Sequence, residues 1–231
     1  MNLRTIISSC VLALISFPSC ASSTWVDNRY AHITAVERNQ YKIGVGHEFD
    51  SGAVILASSI YEMGKNFNQF KSSFQEYEGW YPVALTDRLT LLPGALVDTD
   101  TDGTKVGGSA MLDYRLARGL SAGGRYRYNH MTYKQRDLSQ DMAYNDAHLI
   151  DLFVNYQATD KLWLQFNPQY TVNAGDFNSA NGHKTHWETS IVAQYRLNKR
   201  WMPYTELAWL DEDQNNDNQF RLRIGIKYFL P

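Results

Sequence analysis

The feature that most constrains the fold of this chain is a period-two alternation of side chains that recurs from Trp25 to the C-terminus. It is clearest at Arg125–Tyr128, where arginine and tyrosine alternate. A β-strand sends successive side chains to opposite faces, so Arg125 and Arg127 share one face and the tyrosines share the other. In a water-soluble β-sandwich the tyrosines would form the core and the arginines would face solvent. In a membrane barrel the tyrosines would face lipid and the arginines would line a wet lumen.

The same alternation predicts about twelve strands, and no segment has the pattern of an amphipathic helix. No apolar run reaches the roughly 20 residues that a membrane-spanning helix needs. The predicted strands are 24–33, 39–49, 53–63, 73–85, 88–97, 105–116, 119–131, 145–158, 161–172, 184–196, 201–210 and 219–230.

The connections between these strands alternate in length. Tight turns are predicted at Asp50–Gly52, Thr86–Asp87, Ala117–Arg118, Thr159–Asp160 and Asn198–Lys199. Longer polar loops are predicted at Gly64–Ser72, Asp98–Thr104, Thr132–Tyr144, Asn173–His183 and Asp211–Asn218. Short turns at one end and long loops at the other are typical of bacterial outer-membrane barrels, in which closure of the sheet removes every exposed edge. The predicted fold class is therefore all-β, a transmembrane antiparallel β-barrel of about twelve strands. The rival, a secreted sandwich, does not explain charged residues on one face of nearly every strand.

The N-terminus has the pattern of an export signal. Arg4 precedes an apolar run at Thr5–Phe17, which is too short to span a membrane, and small residues follow up to Ala21. This order is typical of a secretory signal peptide. We therefore expect a signal peptide at 1–21 and a single barrel domain at 22–231.

Both cysteines of the chain, Cys10 and Cys20, fall inside this predicted signal. A lipoprotein with Cys20 as its acylated residue is an alternative interpretation of the same segment. In either case no disulfide framework is predicted, so a large core or a closed sheet must hold the exported protein together.

Aromatic residues are abundant, with 15 Tyr, 10 Phe and 6 Trp, and the formal net charge of −2 gives no indication of nucleic-acid binding. Several aromatic residues cluster near the predicted strand ends, as interfacial belts of a membrane barrel would produce, although each could equally be an ordinary core residue. These are Trp25, Tyr30, Trp80, Tyr81, Trp187, Trp201 and Trp209.

Basic residues recur on the predicted wet face of the strands. Arginine presents a planar fork that suits carboxylates, and rings of basic side chains are a common basis of anion preference in pores. The candidate pore-lining or substrate-binding residues are Arg125, Arg127, Arg221, Arg223, Lys227, Lys42, Arg115 and Arg196. Lys134 and Arg136 are predicted to lie in a loop near the pore mouth. Alternatively, these charges only solvate a polar lumen and are offset by acids such as Glu48, Asp113, Asp151, Glu188 and Glu206.

Two segments bear on metal binding. Asp98–Gly103 opens like a calcium loop, but Ser109 stands where the bidentate acid belongs and the segment joins strands. His183 and His186 lack the helical spacing of a zinc protease. We predict a solvated acidic turn, no metal site and no cofactor.

An enzymatic barrel is one alternative to a channel. Asp137 and Asp141 with His148 could supply paired acids or a base near the rim, but no nucleophile with distinctive surroundings accompanies them. A structural or adhesion barrel with a blocked lumen is the second alternative.

Several segments resemble the oligogalacturonate-specific porins (the KdgM family), which include sialic-acid channels, and in particular its OmpL branch. The segments that carry the resemblance are Glu78–Pro82, Arg125–Tyr128, Tyr133–Ser139, Asp176–Ser179, Asn181–Gly182, His186–Glu188 and Arg223–Phe229.

The resemblance implies a monomeric twelve-stranded channel, among lipids and lipopolysaccharide in the outer membrane of a Gram-negative cell, which passes small or acidic saccharides by diffusion. Arg125 and Arg127 match one basic track of the family, and Arg221 and Arg223 match the facing one. Leu92 departs from the pattern, because a polar or basic lumen residue is expected there. The predicted function is thus a passive porin with an arginine-lined lumen.

Overall fold

A computed structural model describes residues 21–34, 37–136, 142–179, 181–213, 215 and 217–231. No helix among these residues is both long and apolar enough to cross a membrane. The described chain forms fifteen β-strands. They are β1 (Ala21–Ile33), β2 (Arg38–Phe49), β3 (Val54–Glu62), β4 (Lys71–Trp80), β5 (Val83–Ala84), β6 (Leu89–Thr99), β7 (Thr104–Ala117), β8 (Leu120–Met131), β9 (Lys134–Arg136), β10 (Met142–Tyr144), β11 (Ala147–Gln157), β12 (Leu162–Asn173), β13 (Thr185–Tyr195), β14 (Trp201–Glu212) and β15 (Asn218–Phe229).

The long strands close into one antiparallel barrel, which confirms the predicted fold. Each pairs with its neighbours in the chain, β1 pairs with β15, and β4 pairs with β6. The predicted strand 73–85 is interrupted after Trp80, and the short β5 continues its line along β6. Pro82 causes the break, because proline has no N–H to donate to a ladder. The small β9–β10 hairpin lies outside the barrel, in a stretch predicted to be a plain loop.

The two ends of the barrel differ in their connections. At the turn end, short links such as Arg118–Gly119 join the strands, and both ends of the described chain lie there. At the loop end, 132–146 and 174–184 are long. The predicted loop at Asp98–Thr104 is instead a tight turn at 100–103. Asp100 Oδ1 accepts the backbone N–H groups of Asp102 (2.8 Å) and Gly103 (2.9 Å) and so closes it.

The two faces of the barrel have opposite character. Large apolar side chains lie exposed on the outer face of the strands, and charged side chains are buried on the inner face. Tyr126 is 49% exposed and faces outward, whereas Asp151 is 1% exposed and faces inward. A water-soluble protein shows the reverse, with large apolar side chains in the interior and charged side chains at the surface. The arrangement suits a lipid exterior.

The aromatic residues predicted to form interfacial belts divide between the two faces. Trp187 and Trp201 lie outside, each with its ring centroid 4.6 Å from that of a tyrosine. Trp25 and Trp80 instead lie on the inner face, so their assignment to a belt was wrong. Trp25 fits inside because Gly46, its partner on β2, has no side chain, and a Cβ there would overlap the indole.

Candidate pore-lining site

The strand register determines where the predicted basic residues lie. Seven of the eight are carried by the long strands, and each falls on the inner face of its strand. Arg196, which follows β13, contacts inner-face side chains and so reaches the same surface. Arg115 lies on β7 near the turn end and is exposed at the rim. The lumen wall therefore carries basic side chains from several strands.

The first cluster is centred on β8. Arg125 donates from Nε to Asp151 Oδ2 over 2.9 Å, and its Nη1 lies 3.7 Å from Glu78 Oε1. Asp151 also accepts Gln169 Nε2 at 2.9 Å, so a buried carboxylate is satisfied on both oxygens. Arg127 is the next residue on the same face. Among the described residues it has no ion-pair partner, and its buried Nε has no acceptor.

The second cluster is centred on β15. Arg221 contacts Glu188 with both terminal nitrogens and donates from Nη2 to Glu206 over 2.8 Å. Arg223 Nη1 donates to both oxygens of Glu206, at 2.8 and 3.0 Å. Glu206 thus bridges two arginines. In the barrel, four strands separate β8 from β15 on one side and six on the other, so the two clusters face each other across the lumen.

Several inner-face contacts skip a strand, which requires a small residue between the partners. Lys42 on β2 reaches Glu76 on β4 at 2.5 Å over Ser58, whose hydroxyl also donates to Glu76. Tyr204 on β14 reaches Asp27 on β1 at 2.8 Å over Gly225. A Cβ at Gly225 would overlap the Tyr204 ring, so glycine is required there.

At the turn end the cations have aromatic neighbours in place of acids. The Arg196 guanidinium lies 5.9 Å from the ring centroid of Trp163 and 4.9 Å from that of Phe229. Lys227 Nζ lies 5.8 Å from the ring centroids of both Trp25 and Tyr204. Neither cation has a carboxylate within ion-pairing distance in the described part of the chain.

The two predicted loop residues, Lys134 and Arg136, lie on β9 outside the barrel wall. Together with Asp102 and Tyr133 they border a cleft of about 830 Å³. The Tyr133 hydroxyl donates to Asp100 Oδ2 over 2.7 Å. Burial and this bond to a carboxylate raise the pKa of Tyr133 to about 12. The bond ties the turn between β6 and β7 to the chain that follows β8.

The residues weighed for metal binding have other partners. Asp98 pairs with Lys105 on the inner face, whereas Asp100 closes its own turn. His186 Nδ1 lies 3.0 Å from Ser179 Oγ, and His183 is exposed. Within the described residues no group of three His, Cys, Asp or Glu could hold a metal ion.

Of the three residues considered for catalysis, the structure describes only His148. Asp137 and Asp141 lie outside the described residues. His148 lies on the outer face, with Nδ1 2.7 Å from the Tyr126 hydroxyl and its ring stacked on the Tyr126 ring.

Sequence reasoning missed part of the inner face. Arg29 and Lys105 are lumen cations, and Glu76 and Glu78 are lumen acids, yet none was selected from the sequence. Their signal was present in the alternation. Arg29 stands two residues after Asp27, and Glu78 two residues after Glu76, so each falls on one strand face.

A closed barrel of twelve long strands, with an apolar exterior and a charged interior, defines an outer-membrane β-barrel protein. Residues 17–230 match the family described as "Oligogalacturonate-specific porin protein (KdgM)". The chain belongs to this family. The predicted family and outer-membrane localisation are thereby confirmed.

Individual relatives agree with this assignment. The N-acetylneuraminic acid outer membrane channel protein NanC of Escherichia coli (strain K12) is 29% identical over 154 residues, which make up 64% of this chain. The chain spans 65% of the length of that relative. Among solved structures, a NanC porin superposes with a TM-score of 0.77 at 24% identity, over 89% of this chain and 100% of the other. A KdgM porin in complex with disordered oligogalacturonate superposes with a TM-score of 0.68 at 14% identity, over 90% and 99%. At these identities the two structures support the fold alone.

Proposed function

We propose that this protein is a passive diffusion channel of the outer membrane for small acidic saccharides. The observation that carries the proposal is the pair of arginine clusters on β8 and β15, which face each other inside a closed barrel. The relatives named for N-acetylneuraminic acid and oligogalacturonate handle carboxylated sugars, and the guanidinium fork suits a carboxylate.

The size of the barrel supports a narrow channel. Eight-stranded barrels are filled by side chains, whereas 16- to 18-stranded porins hold an open aqueous channel. A barrel of twelve strands lies between them. We infer that it passes single or short-chain saccharides as a monomer surrounded by outer-membrane lipid and lipopolysaccharide.

The anion preference of the channel depends on how many lumen cations are neutralised by carboxylates. Arg125, Arg221 and Arg223 each contact a carboxylate. Arg127 and Arg29 are without an ion-pair partner in the described chain, and their buried Nε atoms have no acceptor. We therefore propose a moderate anion preference, in which Arg127 and Arg29 interact with the solute and the paired arginines shape the lumen.

Two further parts of the proposal concern the N-terminus and catalysis. We propose that residues 1–21 are removed on export, since their charge and apolar pattern is that of a signal peptide. We also propose no enzymatic activity, because the relatives are named as channels or porins and His148 lies against Tyr126 on the outer face.

The test is ion conductance of the purified protein in planar bilayers, with liposome swelling in neutral and acidic sugars. We expect a steady current and an anion preference that the double variant Arg125→Ala/Arg127→Ala lowers by roughly two- to fivefold, since a unit charge a few ångströms from an ion in water contributes about 1 kcal/mol. Lys199→Ala is the matched control, because Lys199 is exposed in a turn at the barrel end.

The outcomes separate the parts of the proposal. Absence of current in the wild type would refute the channel. A current whose selectivity is the same in the double variant and the wild type would leave the channel and refute the role of these arginines.

A further inference from the structure

The turn end of the lumen contains a third side-chain cluster, separate from the arginine clusters on β8 and β15, in which cations lie against aromatic rings. We call it the turn-end arc. It consists of Trp25, Trp163, Arg196, Tyr204, Lys227 and Phe229. Trp25 and Phe229 link its two halves, with ring centroids 5.9 Å apart. The arc therefore forms a continuous aromatic surface that carries two cations.

Arg196 is the most available cation in the arc. Aromatic rings approach its guanidinium at 5.9 Å (Trp163) and 4.9 Å (Phe229), and the other contact within the described residues is a weak one, from Nη2 to Met202 Sδ over 3.9 Å. A ring face attracts the cation without accepting its N–H groups in the way a carboxylate does. The five N–H donors of the guanidinium thus remain almost fully available to a solute.

A cavity of about 300 Å³ lies beside Arg196 and is bounded by Trp163 and by the side chains of Asn155, Gln165 and Gln194. Gln165 Nε2 donates to Asn155 Oδ1 over 2.8 Å, which orients both amides. Each glutamine has two donor hydrogens and a carbonyl acceptor, so the amides retain unused hydrogen-bonding capacity. The volume is at the lower end of the range for small-molecule sites.

We propose that this cavity is a binding subsite for one carboxylated sugar unit at the turn end of the channel. Arg196 binds the carboxylate with its fork, Trp163 packs against the apolar C–H face of the sugar ring, and Gln165 and Gln194 bind hydroxyl groups. The proposal deepens the proposed function and rests on it, since it names a site and a ligand class within the same lumen.

The test is calorimetric titration of the folded barrel in detergent with digalacturonate, which requires no conduction. We expect binding that Arg196→Gln weakens by about tenfold or more, as loss of a charge-assisted hydrogen-bonded pair predicts. Arg200→Gln is the matched control, because Arg200 loses the same charge at the same barrel end but is exposed in the turn. We expect it to change the affinity less than about twofold.

Two further arms separate the roles of the residues. Trp163→Leu should weaken digalacturonate and neutral maltose alike, whereas Arg196→Gln should weaken digalacturonate alone. The methyl ester of digalacturonate should bind wild-type protein about tenfold more weakly than the acid, and this arm needs no variant to fold.

The results distinguish the subsite from the channel. If the wild type binds no digalacturonate, or if the ester binds as tightly as the acid, the subsite is refuted even where bilayer current is present. If the sugar binds as expected but no current is found, the channel is refuted and the subsite stands. Equal losses in Arg196→Gln and Arg200→Gln would refute the specific role of Arg196.

Discussion

The lumen stabilises its cations in two ways. The two regions differ in how much of the positive charge and how many of the N–H donors they leave available to a solute. In the arginine clusters on β8 and β15, carboxylates hold Arg125, Arg221 and Arg223 at hydrogen-bonding distance. In the turn-end arc, ring faces hold Arg196 and Lys227. A carboxylate neutralises the charge and takes up its donors, whereas a ring face positions the cation and leaves both available. The strength with which a lumen cation is held is therefore no measure of its interaction with solute.

The largest effect is expected where one acid serves two arginines. Glu206→Gln should lower the free energy of unfolding by about 3 kcal/mol, because it removes the carboxylate that pairs with Arg223 and one of the two that pair with Arg221. The measurement is denaturant-induced unfolding in lipid vesicles, followed by tryptophan fluorescence. Glu37→Gln is the control, because Glu37 pairs with Lys65 on the exposed surface, and its loss should cost less than about 0.5 kcal/mol. Equal effects of the two substitutions would contradict the distinction between buried and exposed pairs.

A smaller effect on stability is expected in the turn-end arc. Lys227→Met should change the free energy of unfolding by about 1 kcal/mol or less, since a cation over aromatic rings contributes about that amount. The same variant should lower anion selectivity in bilayers, because it removes a charge that has no carboxylate within ion-pairing distance among the described residues. Selectivity equal to that of the wild type would show that Lys227 does not interact with passing ions and that cations held by ring faces are no more available than those held by carboxylates.

The smallest effect concerns an acid at the loop end, outside the membrane-spanning part of the strands. Burial opposes ionisation of Asp146, but the Met131 N–H (2.7 Å) and His130 (3.0 Å) outweigh it and hold the pKa of Asp146 below its usual range. A lowered folded-state pKa contributes stability above the unfolded-state pKa, near 4, and that stability is lost as the pH falls further.

The wild type should therefore lose about 0.5 kcal/mol more on acidification below about pH 4 than Asp146→Asn does, a small value because the carboxyl group is close to solvent. Denaturation curves at pH 3 and pH 6 provide the measurement. Identical losses in both proteins would exclude a contribution from Asp146.

Particular residues show how far the sequence predicts the site. The outward Tyr126 and inward Arg127 follow from local alternation, because the pleat of a strand is set by its own backbone. The inward face of Trp25 follows from the same alternation, because Trp25 stands two residues before Asp27, but the space for its indole depends on Gly46, which lies on the next strand. The contact between Arg125 and Glu78 could not be predicted from the sequence, because it joins β8 to β4 across two intervening strands.

By itself, the sequence determined the long strands apart from the break after Trp80, the face that each of their side chains takes, and most of the difference between the turn end and the loop end. These properties are local, since they depend on alternation and on turn chemistry. Only the tertiary structure decided which cations have carboxylate partners and which lie against aromatic rings. Closure and register set those distances, and they bring together residues such as Asp27 and Tyr204 that lie far apart in the chain.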